Sequence, residues 1–345
     1  MSFRSWVTVV TIILLATAIF LGWHDIVGVW SLLAEVNLWI LILLIPIQLF
    51  SYFATGNIIF SYLRTKGHLK DSSPWTTTRM ALELNFVNHI IPSGGAAGFS
   101  YLGWVLTRHG VSAGRSTMAQ IVRFAMTFVA FLGIMALAVA FLILDHHVDR
   151  IVIFVGIILV SLAIAGALFL VYIIGNHRRL IRFSDWITKI SNKVIAFVSR
   201  KKEKKFVDKL VIEKFFGDLH QDYLEIRHDK KILKKPLMWS IFVNLADTAL
   251  LIVVFTSLGV WVNPAILFIA FGTSSIASIV SVLPAGAGVY EAVMIGFLTS
   301  AGVQVDIAVA GTLLGRVTLV VGTILFGYLF YQLTILKYGK RPTDS

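Results

Sequence analysis

Charge is scarce in this chain and cysteine is absent. Only 14% of its 345 residues are Asp, Glu, Lys or Arg, against roughly 25% in a soluble domain. Hydrophobic residues make up 57% and the mean hydropathy is +0.85. That balance reads as a polytopic integral membrane protein. With no cysteine at all, disulfides, thiolate metal sites and a cysteine nucleophile are excluded. Segments of about ten residues alternating apolar with polar are also missing, which excludes a membrane β-barrel and leaves helices. Ser93-Gly94-Gly95 is not followed by the Gly-Lys-Ser/Thr of a nucleotide-binding loop. No Gly-x-Ser-x-Gly elbow or His-Glu-x-x-His pair occurs, so an intramembrane hydrolase has no specific support. His146-His147 stands without further ligands at metal spacing, and neither a metal nor a cofactor is expected.

What charge there is lies unevenly. Residues 176–236 hold 17 of the 30 Lys+Arg and 8 of the 18 Asp+Glu, a net +9 of the chain's +12. A basic excess can signal nucleic acid, but here it sits in one loop between apolar runs. The positive-inside rule and an anionic membrane surface explain it without direct nucleic-acid binding. Ile187, Ile190, Val194, Phe197 and Val198 recur there at helical spacing. Amphipathic helices lying on the membrane are expected, with a solvated charged linker as the alternative.

The chain is organised around Ile91-Pro92-Ser93-Gly94-Gly95-Ala96-Ala97-Gly98, which recurs as Leu283-Pro284-Ala285-Gly286-Ala287-Gly288. Pro92 and Pro284 are 192 positions apart, as are Gly110 and Gly302; Leu106/Leu298, Thr107/Thr299 and Val111/Val303 match at the same offset. Proline lacks an amide donor and glycine resists helical angles, so each stretch breaks a helix. Broken backbone at membrane depth is tolerated only where protein or a wet cavity covers it. Two breaks in corresponding places of two halves point to a transporter's binding site.

Six spans are expected: Trp6–Leu21, Leu38–Tyr62, Met118–Leu144, Ile151–Ile174, Leu237–Leu258 and Ile307–Leu336. Ala16-Thr17-Ala18 resembles a signal-peptide cleavage site but lies inside the first apolar run, which favours an uncleaved span. Arg64, Lys66, Lys70 and Arg79 before Met80–Thr107, and Arg108, His109 and Arg115 after it, place both ends of that segment in the cytoplasm. Arms of about a dozen residues reach ~18 Å, short of a ~30 Å hydrocarbon core, so residues 80–107 form a re-entrant hairpin. Pro264–Ala301 holds the second break between flanks without basic residues, and its hairpin enters from outside. Its longer arms leave two short spans as an alternative. Lys337, Lys340 and Arg341 put the C-terminus in the cytoplasm, together with the N-terminus. The expected architecture is all-α: about six spanning helices plus two broken hairpins. Residues 1–150 and 151–345 form an inverted-topology repeat.

Charged residues within spans cost ~2.5–3.5 kcal/mol each on insertion scales and are functional candidates by default. They are Glu83, Arg123, Asp247, Glu291 and Arg316. Asp247 and Arg316 lie near mid-span, and Glu291 lies two helical turns past Pro284. Asn85, Asn88 and His89 approach the first break. The arginines suit an anionic headgroup, with the amides after each break adding a positive dipole end. Glu291 and Asp247 then tune the site, compete for the arginines or bind a coupling proton. The competing reading is an Arg316–Glu291 or Arg316–Asp247 ion pair that only locks helices together. The asparagines also suit interhelical hydrogen bonding.

Asn88-His89-Ile90-Ile91-Pro92-Ser93-Gly94-Gly95 with Gly98 resembles the first signature of the lysylphosphatidylglycerol synthase transmembrane-region family, also described as flippase-like. Leu283-Pro284-Ala285-Gly286-Ala287-Gly288-Val289-Tyr290-Glu291, then Ala301-Gly302-Val303 and Gly315-Arg316, resembles the second. The chain is similar to the N-terminal membrane part of bacterial multiple peptide resistance factors. The resemblance implies an inner-membrane protein that moves aminoacylated phosphatidylglycerol between leaflets. By matching motif it implies a headgroup site at Asn88, Pro92, Gly94, Gly95, Arg123, Asp247, Pro284, Gly286, Glu291 and Arg316. Complete resistance factors add a soluble domain that transfers lysine from charged tRNA to the lipid. The sequence runs only nine residues beyond Leu336, so that domain is expected to be missing. The alternative function is therefore the membrane component of a phosphatidylglycerol lysyltransferase, acting with a separate synthase protein.

Overall fold

In the computed structural model every described element is helical, and strands are absent among the described residues. The structure describes residues 36–70, 72–90, 96–144, 228–279 and 288–338, with isolated positions between 154 and 224. The expected span Trp6–Leu21, the loop at 145–150, nearly all of the span Ile151–Ile174 and most of the basic insert lie outside them. Four helical stretches are long and apolar enough to cross a bilayer: Leu38–Thr65, Arg115–Leu144, Lys230–Ser257 and Val305–Leu336. They coincide with four of the six expected spans. The chain divides into two compact units, residues 1–159 with 235–345, and residues 160–234.

The larger unit is built from α1 (Leu38–Leu41), α2 (Leu44–Thr65), α3 (Pro74–Ile90), α4 (Ala96–Arg108), α5 (Ala113–Leu144), α6 (Lys234–Ser257), α7 (Pro264–Ile279), α8 (Val289–Ser300) and α9 (Val305–Tyr338). Side chains are distributed as a bilayer demands. On α9, Leu325, Leu329 and Leu336 are 64%, 56% and 63% exposed, while Thr312, Thr323 and Thr334 are buried at 3%, 2% and 0%. An apolar outer face needs no cover in lipid, whereas the Thr323 and Thr334 hydroxyls find partners inside the bundle, the Leu319 carbonyl and the Glu83 carboxylate.

Both breaks interrupt helices. α3 ends at Ile90 and α4 begins at Ala96; α7 ends at Ile279 and α8 begins at Val289. In each case the two arms pack against one another as a hairpin. The first arm is longer than the expected residues 80–107 allow. It starts at Pro74 behind Ser73, whose Oγ accepts the Thr76 N–H at 3.1 Å. Proline at a helix's first position has no amide to waste, and serine before it caps the next turn. α7 opens the same way: Asn263 Oδ1 accepts the Ala265 N–H at 2.9 Å ahead of Pro264. The turn of the second hairpin, residues 280–287, on which its expected longer arms depend, lies outside the described residues. Within them α7 and α8 have 16 and 12 residues, against 17 and 13 in α3 and α4.

The 192-position offset runs through the helix ends. α4 terminates at Gly110, with φ +79°, and the Val111 N–H reaches back to the Leu106 carbonyl at 3.0 Å. α8 terminates at Gly302, with φ +90°, and the Val303 N–H reaches the Leu298 carbonyl at 3.0 Å. α2 and α6 end in the same closure at Gly67 and Gly259, with φ of +83° and +77°, again 192 positions apart. Only glycine takes this left-handed turn without steric cost. Packing follows the offset too. α3 packs on α9, and the elements 192 positions away, α7 and α5, also pack on each other. Each hairpin thus lies against the long last helix of the other half. Glycines make both contacts close: a Cβ on Gly327 would lie 3.1 Å from the Leu82 carbonyl, and one on Gly272 2.6 Å from Phe131 and Met135.

Candidate functional site

The second break carries a charge cluster. Glu291 is the third residue of α8, and its Oε2 accepts the Gly288 N–H at 2.6 Å. Its Oε1 lies 2.9 Å from Nε of Arg316 on α9. The Arg316 guanidinium also stacks 4.5 Å from the centroid of the Tyr290 ring. The pair is not sealed off: the Arg316 and Glu291 side chains are 25% and 17% exposed, and Gly288 and Val289 are exposed. An N-terminal helix amide, a guanidinium and an aromatic face therefore converge at an accessible helix start. This is an anion-binding constellation whose anion is supplied by the chain itself.

Asp247 lies at the middle of α6, and its Oδ1 accepts the Ser51 hydroxyl of α2 at 2.7 Å. Tyr290, beside Arg316 and Glu291, is also within electrostatic reach of Asp247. A turn of α2 earlier, Gln48 Nε2 donates to Tyr52 Oη at 2.8 Å and to the Leu319 carbonyl of α9 at 3.0 Å. Tyr52 and Thr323 share a hydroxyl–hydroxyl bond. Polar side chains of α2 in the first half thus meet α6 and α9 in the second, beside the charge cluster.

The first break is closed differently. Asn88 Oδ1, from the end of α3, accepts the Gly98 N–H in α4 at 3.1 Å. A side chain on Gly98 would overlap the Asn88 amide, which is why glycine stands there. Asn85 Nδ2 donates to the Ala81 carbonyl of its own helix at 2.9 Å. Arg123 on α5 stacks 4.2 Å from the Phe124 ring, and its buried Nε has no hydrogen-bond partner among the described residues. Its neighbours one turn away tie α5 to other helices. Gln120 Nε2 donates to the Phe99 carbonyl of α4 at 3.1 Å, and Asn244 Nδ2 of α6 donates to the Thr127 carbonyl at 3.3 Å.

Glu83 belongs to none of this. It is fully buried at the root of the first hairpin, where Tyr101 Oη and Thr334 Oγ1 donate to it at 2.8 and 2.5 Å. Arg79 Nε stands 3.1 Å from the same carboxylate, and Arg79 Nη2 donates to Thr334 at 2.9 Å. The cluster joins α3, α4 and α9, and both oxygens of the Glu83 carboxylate have protein partners.

Of the residues singled out from sequence, the structure brings Glu291 and Arg316 into contact and leaves Asp247 within electrostatic reach of Tyr290. Asp247 bonds Ser51 rather than Arg316. Asn88 serves the first turn, and Arg123 makes no described contact with the Arg316 cluster. Pro92, Gly94, Gly95, Pro284 and Gly286, and the side chain of His89, lie outside the described residues. Sequence reasoning missed Gln48, Ser51, Tyr52, Tyr290 and Thr323. The signal for the first three was present: polar residues at 48, 51 and 52 recur at helical spacing within one apolar span. Among the described residues no group of three His, Cys, Asp or Glu is placed to hold a metal.

A family model described as Lysylphosphatidylglycerol synthase TM region matches residues 6–327. No curated protein matches the chain.

Proposed function

Since the chain belongs to the lysylphosphatidylglycerol synthase transmembrane-region family, we propose that it moves a phospholipid of phosphatidylglycerol type, anionic or aminoacylated, between the leaflets of a bacterial inner membrane. The observation that carries this reading is the contact of Arg316, Glu291, Tyr290 and the Gly288 amide at a break in a membrane-depth helix. A guanidinium and a helix N-terminus recognise phosphate oxygens, and the neighbouring carboxylates suit an aminoacyl ammonium. Lipid tails stay in the bilayer while the headgroup passes between the broken hairpins. Asp247, Arg123 and the residues of both tips line that route in this reading. The two halves have opposite orientation, with both termini cytoplasmic, so each hairpin opens from its own side. Transport at this level needs no catalytic residue and no cofactor.

Vesicles containing the purified chain and a labelled phosphatidylglycerol test it. Wild type is expected to exchange the lipid between leaflets, and Arg316→Ala to fall to the rate of empty vesicles while remaining folded. Equal exchange by the two proteins argues against the site.

The family's description names a synthase, which supports one second reading: a membrane component of a lysyltransferase with a separate synthase partner. Purified chain incubated with lysyl-tRNA and phosphatidylglycerol separates the two. Lipid product without a partner would favour stand-alone chemistry, for which the described residues offer no assembled acyl-transfer site.

A further inference from the structure

The two breaks solve one physical problem in two ways, and the difference identifies a regulatory element. Each second arm begins with backbone amides that need an acceptor. In the first half a neutral amide suffices: Asn88 Oδ1 takes the Gly98 N–H at 3.1 Å. In the second half the acceptor at Gly288 is a carboxylate, Glu291, at 2.6 Å. Gly98 is the third residue of α4 and Gly288 the residue before α8, but both amides belong to a helix's first turn, and an ordinary capping box takes glutamine as well as glutamate, so capping alone does not require charge. The carboxylate also has a second engagement, since its other oxygen takes Arg316 Nε at 2.9 Å. Its two oxygens therefore occupy the donors that two oxygens of a phosphate group would use, at an exposed helix start and over an aromatic ring. Among the described residues the first half has no counterpart, because the position 192 residues before Glu291 is Phe99, and the buried Nε of Arg123 has no acceptor there.

We infer that Glu291 is a built-in stand-in for the ligand's phosphate: it plugs the second-half anion site at rest and is displaced when a phosphate group binds. The inference rests on the lipid-transport reading for the source of that phosphate, and a free phosphate ion shares the chemistry. Displacement costs the Glu291 bonds and returns equivalent ones, so binding is weak and reversible, as passage through a carrier requires. It also keeps a counter-charge beside Arg316 when no ligand is present.

Glu291→Gln separates capping from plugging. Glutamine keeps an oxygen for the Gly288 amide, as it does in ordinary capping boxes, but has no charge to hold Arg316. Protein in phosphatidylcholine nanodiscs is titrated with a soluble short-chain phosphatidylglycerol and, separately, with inorganic phosphate. Glu291→Gln is expected to bind about tenfold tighter than wild type, the scale of one charge-assisted hydrogen bond. Arg316→Ala, alone or combined with Glu291→Gln, is expected to lose the binding. A gain for the lipid identifies a headgroup as the phosphate source, and a gain for inorganic phosphate alone identifies the free ion. Unchanged or weaker binding in Glu291→Gln for both probes overturns the inference. A second measurement needs no variant: carbodiimide labelling of Glu291 in wild type, read by mass spectrometry, is expected to rise when the bound probe frees its carboxylate. Constant labelling under saturating probe overturns it as well. The transport reading fails separately, if wild type exchanges no lipid while Glu291→Gln still gains affinity. The plug alone fails if exchange is intact and Arg316-dependent but Glu291→Gln gains nothing.

Discussion

Replacing Glu83 by alanine tests whether the buried polar network at the root of the first hairpin is a structural clamp. Glu83 and Thr334 are each 0% exposed and Tyr101 is 1% exposed. The substitution removes the acceptor of two buried hydroxyl donors, and bonds to charged groups are worth ~1.5–3 kcal/mol each. That gives ~3–6 kcal/mol before the membrane is considered. Interhelical hydrogen bonds in membrane proteins average only ~0.6 kcal/mol, because a chain unfolded in the membrane finds other partners. Arg79, with a 22% exposed side chain, reaches solvent and adds ~0–1 kcal/mol as a surface partner would. The lower end, about 3 kcal/mol, is therefore the expected loss for Glu83→Ala, and about 1 kcal/mol for Tyr101→Phe. Equilibrium unfolding in mixed detergent–SDS micelles measures both, and the double variant measures their coupling. Tyr101→Phe is expected to cost far less once Glu83 is gone. A Glu83→Ala loss below about 1 kcal/mol, or additive costs in the double variant, would refute the clamp.

Two other outcomes are expected from the fold. Gly259→Ala, at φ +77°, is expected to destabilise by ~1–2 kcal/mol in the same assay, whereas Gly133→Ala, with nothing within 4 Å of its new Cβ, is expected to be neutral or stabilising by up to ~1 kcal/mol; equal effects would contradict the helix-end geometry. Because the chain has no cysteine, Lys70→Cys and Gln304→Cys, both at exposed sites, can be labelled singly with an impermeant maleimide in oriented vesicles; labelling of both from one side would contradict opposite orientation of the halves.

Much of the fold was legible because its punctuation is local. Proline before a helix, glycine after one and a glycine-rich break each act within a turn, so Pro264, Gly110, Gly302 and the two breaks could be read without knowing any long-range contact. The pair Gly67 and Gly259 obeyed the same rule and extended the offset to the ends of α2 and α6. In the sequence the first hairpin starts at Met80, directly after the last basic residue of the preceding loop, Arg79. The helix begins instead at Pro74, since Ser73-Pro74 fixes a helix start even in polar sequence.

The site was less legible for a reason that lies in the packing. Each hairpin sits against the long helix of the opposite half, so most polar partners are remote in sequence: Ser51 with Asp247, Gln48 with the Leu319 carbonyl, Glu83 with Thr334. The 192-position offset says which helices are equivalent but not how far each is rotated about its axis. A single turn of rotation decides whether Asp247 meets Ser51 or Arg316. Intramembrane charge still narrowed the search, since a carboxylate and a guanidinium in one bundle are strongly driven together. Glu291 met Arg316 on that principle, and Tyr290 entered the cluster only because it precedes Glu291 at a helix start. Charge could therefore be located from sequence, while the uncharged side chains that position it required the register of helices from two halves.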